Sequence, residues 1–75
     1  MYMICHANAS ESGEIFTPWT SNSLGTRHGA KRYLLECVDG MTPGQAVAVL
    51  DRATARPGEW ADGETDGAVY SVMFN

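Results

Sequence analysis

The first eight residues alternate. Tyr2, Ile4 and His6 fall on one side of an extended chain and Met3, Cys5 and Ala7 on the other, which predicts a strand over Tyr2–Ala9. Ser10-Glu11-Ser12-Gly13 has the composition of a turn. The run Glu14–Thr20, rich in aromatic and β-branched residues, predicts a second strand. Pro18 has no backbone donor, so that strand is expected at an edge or to stop there. Together these make an N-terminal hairpin, followed by a loop at Ser21–Gly25.

From Arg27 the period lengthens to that of a helix. Ala30, Tyr33, Leu34, Cys37 and Val38 share one face, with Arg27, Lys31 and Arg32 off it, and Asp39-Gly40 supplies the stop. Thr42-Pro43-Gly44-Gln45 reads as a capping box with proline at the first helical position. Ala46, Val47, Val49, Leu50 and Ala53 form the expected buried side of this second helix. Arg52 and Arg56 lie near its C-terminal end, where positive charge is favoured, and Arg56-Pro57-Gly58 ends it. Glu59–Ala61 predicts a short strand. A loop at Asp62–Gly67 joins it to Ala68–Phe74, whose Ala68, Tyr70, Val72 and Phe74 point one way. The expected fold is a small α+β domain, β-β-α-α-β-β, with two helices packed on one face of an antiparallel sheet.

Seventy-five residues make a single domain, 1–75, with a core too small to enclose a large ligand cavity as well. The composition is that of a soluble globular chain, 44% hydrophobic and 19% charged, with no apolar run long enough for a membrane span. The N-terminal residues lack the basic and apolar regions of a signal peptide, and two cysteines are too few for a disulfide scaffold. The expected location is the cytoplasm. A net charge of −4 disfavours direct nucleic-acid binding and favours basic partners.

The acids are unevenly placed. Glu59, Asp62, Glu64 and Asp66 follow one another without an intervening lysine or arginine. Asp62, Glu64, Asp66 and Gly67 match the opening of a calcium loop, but the twelfth position is Met73, whose thioether is no ligand for a hard cation. The plainer reading is a polar hairpin turn; the functional one is an acidic surface for an arginine- or lysine-lined groove, with Trp60 as an apolar anchor. Trp19, like Trp60, serves equally well as an interface or a core residue.

Cys5, His6, His28 and Cys37 lack the paired spacings of a zinc site, and Cys5 and His6 must point to opposite faces of a strand. His28 and Cys37 stand about 13 Å apart along a helix axis, too far for a nucleophile and its base. No phosphate-binding loop or nucleotide fingerprint is present. Neither metal nor cofactor is expected, and no enzymatic activity. Arg27, Lys31 and Arg32, with His28, form a basic cluster that suits a phosphate or simply a solvated helix face.

In size, acidity and lack of an active-site motif the chain is similar to the small inhibitors that bacteriophages use against host defences, anti-CRISPR proteins among them. The expected function is therefore a non-enzymatic inhibitor. It would occupy a basic, nucleic-acid-binding surface of a larger protein or ribonucleoprotein complex through Glu59, Trp60, Asp62, Glu64 and Asp66. The alternatives are a small phosphate- or nucleic-acid-binding module acting through Arg27, Lys31 and Arg32, and a structural accessory subunit that oligomerises along a sheet edge.

Overall fold

A computed structural model describes residues 1–8 and 20–75 of the chain. The elements run β1 (Tyr2–Asn8), β2 (Thr20–Leu24), α1 (Arg27–Cys37), α2 (Pro43–Ala55), β3 (Ala61–Glu64) and β4 (Ala68–Phe74). The strands form one antiparallel sheet in the order β2-β1-β4-β3. The first and last strands of the chain are thus the central pair. Backbone bonds in both directions between Met1 and Asn75 extend that pairing to the two ends.

Alternation decides which face is covered. Tyr2, Ile4 and His6 of β1 stand in register with Phe74, Val72 and Tyr70 of β4. All six point toward the helices, where Ile4 and Val72 are fully buried. The helices supply Ala30, Leu34 and Val38 from one side and Ala46, Val49, Leu50 and Ala53 from the other. α1 lies over β1 and β2, and α2 over β4 and β3. The α+β architecture expected from the residue pattern is the one observed, with both helices on one face.

The helix ends follow local chemistry. Thr26 caps α1 by accepting from the Gly29 amide, and Thr42 with Gln45 makes the full capping box on α2. Gly40, at φ 76°, turns the chain after α1. A third partner there comes from far away in sequence. The Asn8 side chain donates to the Cys37 carbonyl (2.8 Å) and accepts from the Asp39 amide (3.1 Å), tying the end of β1 to the end of α1.

Three expectations need correction. The loop placed at Ser21–Gly25 is largely strand: β2 is Thr20–Leu24, and of the expected strand at Glu14–Thr20 only Thr20 lies within the described residues. β2 carries no apolar alternation because it is an exposed edge, held by its ladder to β1 and only half-buried at Leu24. The third strand also moves. It occupies Ala61–Glu64 rather than Glu59–Ala61, so the connecting turn shrinks to Asp66-Gly67. Val47 is 37% exposed and faces away from the core. The turn proposed at Ser10–Gly13 and Trp19 lie outside the described residues.

Candidate functional site

The acidic segment is built by β3. Ala61 and Gly63 lie in register with Val72 and Tyr70, so they face the helices. Asp62 and Glu64 therefore face the opposite side, the sheet surface that the helices leave open. Gly63 is required by that arrangement: a Cβ there would come within 2.4 Å of the Tyr70 ring, which lies across it. The first Asp-Gly pair is a strand packed under an aromatic ring. Only the second, Asp66-Gly67, turns the chain.

At the tip, Thr65 Oγ1 donates to the Asp39 carbonyl and accepts from the Gly67 amide. The β3–β4 turn is thereby fastened to the link between the helices, and Asp66 projects from a held position with an exposed side chain.

The carboxylates of Asp62 and Glu64 are exposed and stand about 7 Å apart along the strand. Asp62 accepts from the Ser71 hydroxyl of its register partner. Among the described residues none of Glu59, Asp62, Glu64 or Asp66 forms an ion pair. Arg52 of α2 comes close without doing so: its guanidinium donates to the Asp62 backbone carbonyl (2.8 Å). Glu59 is set apart from the other acids. It lines a shallow cavity with Arg52, Arg56 and Trp60.

Trp60 is 45% exposed. It borders depressions on the open face, one with Met3, Cys5, Ser21 and Ser23 and another with Cys5, Asp62 and Ser71. The open face thus has an acidic margin on β3 and a neutral centre on β1 and β4, with Trp60 at their junction. The sequence read Met3 and Cys5 as a second strand face but carried no sign of what shares it. That depended on strand order.

The basic cluster is partly neutralised. Arg27 pairs with Asp51 of α2 at 2.5 Å, and this partner raises its pKa. Arg32 pairs with Glu36 one turn on, at 3.3 Å. Lys31 is half-buried and His28 exposed.

The cysteines and histidines are dispersed. Cys5 lies on the open face within 3.3 Å of the Ser21 hydroxyl, whereas His6 lies on the helix side with its Nε2 2.7 Å from the Tyr33 hydroxyl. Among the described residues no three His, Cys, Asp or Glu side chains are grouped so as to hold a metal ion. Nor is any helix long and apolar enough to cross a membrane.

No protein-family model matches this chain, and neither a curated protein nor a solved structure matches it.

Proposed function

We propose that this protein is a non-enzymatic inhibitor, acting in the cytoplasm, that occupies a basic, nucleic-acid-binding surface on a larger protein or ribonucleoprotein complex, as anti-CRISPR and other anti-defence proteins do. The observation that carries this reading is the placement of Asp62 and Glu64. They stand side by side on the open face of an edge strand, exposed and without an ion-pair partner among the described residues. Asp66 extends the line at the fastened turn, and Trp60 offers an aromatic surface beside it. A row of carboxylates on a paired strand suits arginine forks, because little backbone freedom is lost when they engage. Glu59 belongs to the periphery of this surface, since Arg52 and Arg56 already share its cavity. Phosphate binding through Arg27, Lys31 and Arg32 has less in its favour, because Arg27 and Arg32 are each engaged by a carboxylate.

The test is a pull-down from bacterial lysate at low and high salt, run with the protein and with the triple variant Asp62→Lys, Glu64→Lys, Asp66→Lys. A basic complex held at low salt, released at high salt and not held by the variant is the expected result. The variant should melt within a few degrees of the parent, since surface substitutions of this kind change stability by about 0.5 kcal/mol each or less. Retention by the variant equal to that of the parent would overturn the placement of the site. A salt-sensitive mobility shift with nucleic acid that disappears on neutralising Arg27, Lys31 and Arg32 would favour the phosphate reading instead.

A further inference from the structure

The two edges of the sheet are treated differently. On β3, Thr65 and Ala68 form a hydrogen-bonded pair, through the Thr65 amide and the Ala68 carbonyl. Antiparallel alternation then directs the amides and carbonyls of Asp62 and Glu64 outward. Arg52 occupies the Asp62 carbonyl, and the strand is short and acidic. These are the devices by which sheet edges are kept from pairing with other chains.

β2 is less protected: its Ser23 amide is occupied by a side chain, as the Asp62 carbonyl is, but the strand bears no charge. Met1 and Asn75 exchange both backbone bonds, so Tyr2, Ile4 and His6 direct theirs toward β2 and meet Leu24, Asn22 and Thr20. Ser21 and Ser23 are left with their backbone groups directed away from the sheet. The Ser23 amide confirms that direction by donating to the Asn22 side chain (3.0 Å) rather than to β1. Thr20, Ser21, Asn22 and Ser23 are all exposed, and β2 holds no proline and no charge. Among the described residues no strand pairs with its outer side.

We propose that β2 is a self-association edge, at which a second copy of this chain adds its own β2 antiparallel across a twofold axis through Asn22. The segment is self-complementary in that register. Ser21 stands opposite Ser23 of the second copy, and the outward amides and carbonyls of both meet as hydrogen-bonded pairs. The two hydroxyls share the open face, a favourable cross-strand combination. Asn22 meets its own counterpart in the non-hydrogen-bonded position, and Ser23 exchanges the Asn22 side-chain oxygen for a backbone carbonyl.

Charge is compatible with a second copy at this edge, and the self-complementary register favours it. The acids Asp62 and Glu64 lie on β3, three strand spacings or about 14 Å from β2, so pairing places the two acidic margins at the far ends of a doubled four-stranded sheet. Beside β2, Arg27 and Arg32 of α1 are each offset by a carboxylate. An acidic chain therefore meets itself where it is least acidic. The contact is small against the area of a stable dimer, so the association is weak and reversible. It does not rest on the inhibitory reading, because the carboxylates that carry that reading lie on the opposite edge.

Sedimentation equilibrium of the whole protein from about 10 µM to about 1 mM tests this, since mass action drives self-association with concentration. The expected result is a mass rising toward twice 8.1 kDa. Ser21→Pro removes an outward amide without touching the ladder to β1 and is expected to hold the mass at one chain. Its circular dichroism is expected to match that of the parent. As an independent readout, Asn22→Cys with Cys5 and Cys37 replaced by serine is expected to give a disulfide-linked dimer on mild oxidation, since such cross-strand positions lie within disulfide reach. A parent that stays at one chain throughout overturns the proposal. So does a folded Ser21→Pro variant that still doubles, or the absence of cross-linking from Asn22→Cys.

Discussion

Individual side chains settle more of this fold than their types suggest. Gly63 has an ordinary backbone conformation, so its role is spatial: it leaves room for the Tyr70 ring. Gly63→Ala must displace a ring that is only 5% exposed. The expected cost is about 1–3 kcal/mol, as for other overpacked cores, and chemical denaturation measures it directly. An unchanged midpoint would mean that the ring moves aside freely. Tyr33 gives a residue-scale test with a pH axis. Burial pushes its phenol above the ordinary value of 10.0, only partly opposed by a hydrogen bond from Asn22. A raised pKa in the folded state means that the stabilising proton is held below about pH 10 and that its contribution is lost as pH climbs through the folded value. Tyr33→Phe removes the contact with His6 and is expected to be less stable at pH 7 by about 1 kcal/mol. The gap to the parent should narrow above pH 10, and a gap that stays constant in alkaline melts would contradict the assignment.

At the scale of elements, local signals worked where they were complete. Thr42 and Gln45 satisfy each other's backbone groups as their spacing implies, and α2 begins where the capping box places it. Thr42→Ala should therefore destabilise by about 1 kcal/mol in chemical denaturation, with no change in strand content by circular dichroism. The strands at the sheet edges were harder to read for a physical reason. β2 is Thr-Ser-Asn-Ser-Leu and β3 is Ala-Asp-Gly-Glu, and neither buries a large side chain of its own. A strand whose stability comes from backbone bonds to a neighbour leaves little apolar pattern to detect. The central strands, each buried on one face, announce themselves by alternation, and β1 and β4 were placed to within a residue.

Over the whole molecule, strand order arranges the charge. Because β1 and β4 pair at the centre, the hairpin that carries Asp62, Glu64 and Asp66 lies at one edge and uncharged β2 at the other. The clustering of acids was legible from their positions in the chain. Their alignment on the face opposite the helices was not, since the segment reads as a turn until Tyr70 is placed over Gly63. The basic cluster shows the reverse. Arg27, Lys31 and Arg32 are three cations along the chain, but Asp51, twenty-four residues from Arg27, is brought to its side by the packing of α1 on α2.

Sequence alone determined the alternation of the central strands, both helices with the capping box of the second, the α+β class and the concentration of acids near the C-terminus. Each of these follows from interactions within a few residues or from the period of a buried face. Tertiary structure decided the strand order, the edge strands, the clamp of Asn8 on α1, the neutralisation of Arg27 and the open face on which Trp60, Asp62 and Glu64 meet. Each of those depends on contacts between segments distant in the chain, whose geometry is set only when the helices and the central strand pair close on a common core.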